Sequence, residues 1–160
     1  ECGRKLWLEE VDGGIVSGDW ILDAAGQDEA SLAESLAAPH RCFGHPPWRV
    51  TGDRGVASPA NAKRASDADV KRVVLPSKGR ASPKRQPPER HAWFRRGYRF
   101  RAGIEGRISV LRRCYGLAQC RDYGEAGLGR WVGWGIATTN LTRIARTVAA
   151  RRAGCAARAA

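Results

Sequence analysis

No methionine occurs anywhere in the 160 residues, and position 1 is Glu1. An intact bacterial or eukaryotic reading frame normally opens with methionine, so the expectation is a fragment, a domain cut from something longer, or a gene remnant. No run of about 18 apolar residues is present, which argues against a membrane span. The opening ECGRKLWLEE holds acids and no apolar stretch, so it does not read as a signal peptide. No CxxC pair stands among the five cysteines (Cys2, Cys42, Cys114, Cys120, Cys155), which leaves little support for a zinc ribbon or a thioredoxin-like site. Reduced cysteines in an intracellular, cytoplasmic chain fit that irregular set best. His40, Cys42 and His45 form an HxCxxH cluster, but no second ligand pair is obvious and they read more simply as loop residues. Neither a glycine-rich phosphate loop nor a Ser-His-Asp arrangement stands out.

What is present is a globular composition with a strong charge asymmetry. Hydrophobic residues make up 42% of the chain, enough for one domain with a real core. The net charge is +12, unevenly placed. Residues 1–60 hold 5 Lys/Arg against 10 Asp/Glu, whereas residues 61–160 hold 23 against 6. A basic half in which Trp, Tyr and Arg interleave points to a polyanion partner, most often nucleic acid. The plainer reading is a solvated basic face. The six tryptophans read as packing anchors before they read as base-stacking platforms, and Arg95, Arg96 and Arg99 suit phosphate contacts and a solvated helix face equally.

Hydrophobic patterning predicts an α/β chain. KLWLEEV (5–11), DGG (12–14) and IVSGDWIL (15–22) read as strand, turn, strand, because Asp-Gly between β-prone segments is a strong hairpin signal. Asp28 can cap a helix carrying Leu32 and Leu36, followed by a loop from His40 to Pro47. WRVTGDRG (48–55) reads as a short strand ending at Asp53, and Ser58-Pro59 opens a helix over 58–68. KRVVLP (71–76) is a buried-type strand; residues 77–90 form a basic, Pro-rich loop. A helix over 89–115 buries Ile104, Ile108, Leu111 and Tyr115, despite Gly97, Gly103 and Gly106. Gly124–Gly135 reads as a loop before a last helix with Trp134, Ala137, Leu141, Ile144 and Val148 on one face, and 151–160 as a frayed tail. The order βαβ after a hairpin implies a mixed sheet.

One carboxylate, Glu105, sits among four arginines in YRFRAGIEGRISVLR (98–112). At about 100° per residue, Tyr98, Arg101, Glu105 and Arg112 share an arc of roughly 60°. Such an Arg–Glu–Arg ladder on a surface helix contributes a few tenths of a kcal/mol at most. A second acid adds weight: Asp53 lies at a strand end between glycines, where ligands of α/β sheets bind, although an Asp in a turn is commonplace. A strand-end Asp and a helical Glu on a basic chain suit Mg²⁺ (or Mn²⁺) held against a phosphate, since hard cations take oxygen ligands.

The spacing Tyr98-x2-Arg101-x3-Glu105-x6-Arg112 resembles the Y-R-E-K motif of DDE transposases from bacterial insertion sequences, with Arg in the Lys position. RAGIEGRISVLRRCYGL, GEAGLGRWVGWGIATTNL and KRVVLPSKG are similar to the C-terminal part of those enzymes, and TGDRG to the segment with their second catalytic Asp. The resemblance runs from about residue 5 to about 146. It implies an RNase H-like mixed sheet with flanking helices, over residues 1–150, and a transposase that cuts DNA at transposon ends and joins it to a target. Two Mg²⁺ held by an Asp-Asp-Glu triad would serve attack on phosphorus, first by water and then by a 3′-OH. Asp53 matches the second Asp and Glu105 the Glu, both as catalytic and metal-binding residues. Tyr98, Arg101 and Arg112 match positions that contact DNA or support the acids; Arg112 in place of Lys keeps the charge and changes the geometry. The partner would be DNA, with no membrane, in the bacterial cytoplasm on the nucleoid, and the intact enzyme could be a homo-oligomer.

The first Asp of the family lies on a strand before the hairpin, and this chain starts after it. Asp12, Asp19 and Asp23 offer no motif for replacing it. The expectation is therefore a sheet lacking its first core strand and little catalysis by this chain alone. DAAGQDEA, where a Gly-Asn-Pro-like turn is expected, and Ser66-Asp67-Ala68-Asp69 also look eroded. The alternative is a non-catalytic basic module that binds nucleic acid by charge; a related nuclease that cuts without joining is the third reading.

Overall fold

The glycines of the first turn show how local sequence sets this fold. In the computed structural model, which describes residues 4–22, 28–76 and 89–159, β1 (Lys5–Val11) and β2 (Ile15–Leu22) pair in a two-stranded hairpin. Gly13 and Gly14 both take positive φ, at 90° and 76°, a region glycine enters without steric cost. The Gly14 N–H closes the turn on the Val11 carbonyl at 3.1 Å. The side chains of 28–30 and 156–159 lie outside the described residues, as do Asp23, most of the DAAGQDEA stretch and residues 77–88 of the expected basic loop.

Among the described residues the mixed α/β chain has four helices and two separate two-stranded sheets, of which the hairpin is one. Helix α1 (Asp28–Phe43) is longer than its sequence pattern suggests, running through Pro39 into the expected loop. It stops at Gly44, whose φ of 75° and N–H bond to His40 O at 3.0 Å form a left-handed glycine cap. The capping glycine, not the proline, is the stop signal here.

Strand β3 (Arg49–Thr51), helix α2 (Pro59–Asp67) and strand β4 (Arg72–Val74) form a βαβ unit. The strands are parallel, with Arg49 opposite Arg72, Val50 opposite Val73 and Thr51 opposite Val74. Ser58 caps α2 as its sequence predicts, accepting the Asn61 N–H, with Pro59 in the first turn. At the other end Asp69 takes a φ of 59°, and the Val70 N–H returns to Ala65 O at 3.0 Å. The core of this region gathers Leu32 and Leu36 of α1 with Val56, Ala57, Ala65, Val70 and Leu75. Trp7 of β1 packs on it and donates its indole N–H to the Ser35 hydroxyl at 3.0 Å.

Two long helices complete the chain: α3 (Ala92–Cys114) and α4 (Gly124–Ala159). The chain divides into two compact units, one of residues 1–7 and 22–105, the other of residues 8–21 and 106–160. In the first, Gly97 of α3 lies so close to β4 that a Cβ there would stand 2.7 Å from Val74 Cγ2. In the second, Leu111 is the buried residue of the predicted α3 stripe, while Ile108 is 39% exposed.

Also in the second unit, Asn140 of α4 extends the edge of β2 as a strand would. Its side chain accepts the Val16 N–H at 2.9 Å and donates to the Val16 carbonyl at 2.8 Å. Arg107 pairs with Glu10, and Arg143 donates to Gly13 O at 2.7 Å.

Three expectations change in the second unit. Gly124–Gly135 is helical rather than a loop, and two of its five glycines are packing positions: a Cβ at Gly135 would collide with Leu117, and one at Gly127 with Asp122. Residues 151–159 continue α4 instead of fraying. The buried face of α4 consists of Val132, Ile136 and Thr139, whereas Trp134, Leu141, Ile144 and Val148 are exposed.

Candidate functional site: a basic helix face and two carboxylates

Asp53 stands two residues beyond the end of β3, after Gly52. Gly52 leaves no room for a side chain, since a Cβ would overlap Val56 and Leu75. The Asp53 carboxylate accepts the Val56 N–H, three residues on, through Oδ1 at 3.1 Å, which ties the acid to the loop after the strand. Asp53 is exposed.

One residue that sequence reading missed anchors this loop. Asn61 is fully buried. Its amide donates to Val56 O at 2.9 Å, and its Oδ1 accepts from Arg64 at 2.9 Å. The backbone of Val56 is therefore held on both sides, by Asp53 at its N–H and by Asn61 at its carbonyl. An Asn three residues after a helix-capping Ser is the only sequence hint, and burial is what gives it meaning.

Helix α3 brings Tyr98, Arg101 and Glu105 onto one line. The Arg101 guanidinium lies 5.8 Å from the centroid of the Tyr98 ring and reaches Glu105 Oε1 with Nη2 at 2.5 Å. The Arg101 side chain is 21% exposed and that of Glu105 is 70% exposed, so the arginine is the sheltered partner and the acid the accessible one. Arg101 Nε is buried without a hydrogen-bond partner. Arg112 is exposed in the last turn of α3, within the second unit.

A cleft of about 790 Å³ opens beside this line in the first unit. Arg95, Arg96 and Arg99 of α3, Arg54 next to Asp53, and Tyr98 line it. Four arginines against Glu89, the one acid among the described lining residues, make this cleft strongly basic. Arg54 joins the three helical arginines only through the fold, which is why the cluster is invisible in the linear sequence.

No group of three or more His, Cys, Asp or Glu side chains stands at metal-holding distance among the described residues. Asp53 and Glu105 are oxygen donors of the kind Mg²⁺ and Mn²⁺ prefer. Each has one oxygen engaged by a protein donor, Val56 N–H and Arg101 respectively. His40 and Cys42 lie in the last turns of α1, and His45 sits against the Phe43 ring with its Nδ1 3.0 Å from Pro46 O. Cys42, Cys114, Cys120 and Cys155 are free thiols. No helix among the described residues is long and apolar enough to cross a membrane.

No family model, no curated protein and no solved structure matches the chain.

Proposed function

We propose that the chain is the C-terminal part of the catalytic domain of a DDE transposase, acting on DNA at transposon ends and target. One observation carries this reading: Tyr98, Arg101 and Glu105 form a connected line on α3 in the spacing of the Y-R-E-K motif. Asp53, held at the carboxyl end of β3 in the same unit, supplies the second acid. On this reading the hairpin and the βαβ unit belong to an RNase H-like core, and the protein works in the bacterial cytoplasm on the nucleoid, in the intact enzyme as an oligomer.

The residues divide the work by chemistry. Asp53 and Glu105 would hold Mg²⁺ or Mn²⁺, which supplies charge stabilisation at the phosphodiester under attack. Arg101 keeps Glu105 aligned, and Tyr98 gives Arg101 a surface to rest on. The arginines of the cleft neutralise the DNA backbone beside the acids.

A second reading, a non-catalytic nucleic-acid-binding module, is favoured by the four-arginine cleft, which needs neither acid. The two separate in one experiment. Fe²⁺ substituted for Mg²⁺ generates hydroxyl radicals that cut the chain and the bound DNA near the metal. Under the transposase reading, Asp53→Ala and Glu105→Ala abolish that cutting and leave DNA affinity within about twofold. Unchanged cutting, or DNA binding that merely tightens when the acids are removed, establishes the basic binder instead.

A further inference from the structure

A row of four planar groups, from His91 through Trp93 and Arg72 to Trp48, stands in the first unit. The His91 imidazole stacks on the Trp93 indole, with centroids 6.4 Å apart and planes inclined by 16°. The Arg72 guanidinium lies 4.8 Å from the Trp93 ring and 6.0 Å from the Trp48 ring. Nearby, the guanidinium of Arg49 stands 5.5 Å from the Phe100 ring. Both cations belong to the β3–β4 ladder, where Arg49 is opposite Arg72.

Trp48 is 61% exposed at the end of this row. Its backbone is not loose, because its carbonyl accepts the Arg72 N–H at 3.0 Å. The ladder and the cation between the rings hold the indole in place while its surface stays open to solvent. Burial does not account for this tryptophan, and simple fold maintenance does not need it in the open.

We propose that Trp48, Arg72 and Trp93 form a stacking platform for unpaired bases, that is, a binding site for a single-stranded segment of nucleic acid. Every base offers a π-face to an exposed indole, and a guanidinium among the rings adds cation–π attraction and a phosphate partner. The local charge agrees with that occupant: Arg49 and Arg72, opposite each other on the ladder, place two cations beside these rings. A duplex hides its base faces by stacking, so the platform discriminates strandedness where the arginine cleft responds to any phosphate backbone. The inference goes beyond the transposase reading and uses neither Asp53 nor Glu105.

The test is fluorescence anisotropy with the whole chain in EDTA, using an oligothymidylate of about 10 nucleotides and a duplex of equal length. Trp48→Ala is expected to weaken oligothymidylate binding by about 5- to 150-fold, the range of losing one base–aromatic stack, with duplex binding changed by less than about twofold. Trp48→Phe keeps an aromatic face and is expected to restore most of the loss, while Arg72→Gln lowers single-strand affinity without rescue. Circular dichroism melts of the variants establish that the fold is kept. The proposal is overturned if the wild-type chain does not bind the oligothymidylate. It is equally overturned if folded Trp48→Ala and Arg72→Gln leave its affinity unchanged, or weaken single strand and duplex alike. Because no divalent metal is present, the outcome is separate from that of the iron-cutting experiment.

Discussion

Arg101 and Glu105 form an ion pair one turn apart on α3, and the two ends of that pair live in different environments. The arginine is packed down and lies over Tyr98, whereas the carboxylate is largely in solvent. An exposed pair at this spacing contributes about 0.3–0.5 kcal/mol, and the order Arg before Glu is the weaker orientation. Glu105→Ala is therefore expected to change the free energy of unfolding in urea by less than about 0.5 kcal/mol. Arg101→Ala costs more, since it also removes the cation–π contact and the buried stem of the side chain. A Glu105→Ala loss above about 1 kcal/mol would make the acid a structural residue and weaken its assignment as a metal ligand.

Asn61 is expected to matter as much for Asp53 as for α2. Replacing it with Ala leaves the Val56 carbonyl without its amide partner in a buried site. Such an orphan costs about 1–3 kcal/mol. The turn that orients Asp53 also depends on the position of Val56. Urea unfolding of Asn61→Ala should show that loss, and a stability within about 0.5 kcal/mol of wild type would show that the amide is replaceable by solvent.

The glycines of α3 should respond in opposite directions to the same substitution. Alanine favours a helix over glycine by about 1 kcal/mol. Gly103 has no heavy atom within 4 Å of a would-be Cβ, so Gly103→Ala is expected to raise the melting temperature. At Gly97 the new methyl meets Val74 at 2.7 Å, and overpacking of about 1–3 kcal/mol outweighs the propensity gain. Gly97→Ala should therefore lower the melting temperature, with Val74→Ala partly restoring it in the double variant. Equal gains at both positions would mean that α3 can move away from β4 at little cost.

The arginine cleft predicts a salt dependence. Each phosphate neutralised on duplex DNA contributes about −0.9 to the slope of log affinity against log salt. If Arg95 and Arg99 each hold one phosphate, their joint replacement by Gln reduces the slope by about 1.8. Anisotropy titrations at several salt concentrations read this directly. A lower affinity with an unchanged slope would place these arginines outside the phosphate contacts.

Much of this organisation was legible locally. The DGG turn, the Ser58-Pro59 helix start and both short strands depend on residues adjacent in sequence, and they stand where the pattern puts them. Asp53 at a strand end and the Tyr98–Arg101–Glu105 line were readable for the same reason, since strand ends and helical spacing are local properties. Features requiring distant contacts were not readable. Gly135 looks like a helix breaker until Leu117 is seen against it, and the arginine cleft exists only because the loop after β3 meets α3. Periodicity also cannot tell which apolar stripe of α4 is covered: Val132 and Ile136 are buried, and the equally regular line of Trp134, Leu141 and Val148 is not.

Asp122 gives the second unit an acid-sensitive link before α4. Its Oδ1 accepts the Tyr123 N–H at 2.9 Å, and its Oδ2 accepts from Arg130 at 3.0 Å. The backbone bond, and then the arginine, hold this carboxyl below the usual carboxylate range. A group whose pKa is lower in the folded chain stabilises the fold in its ionised form. The contribution is thus complete above the ordinary Asp value of about 3.9 and is lost as the pH falls through the lowered folded-state value. Asp122→Asn removes the ionised partner at every pH. Wild type and Asp122→Asn should consequently differ in melting temperature at neutral pH and converge in strong acid. A difference that persists undiminished in strong acid would show that the Tyr123 and Arg130 bonds act without the charge.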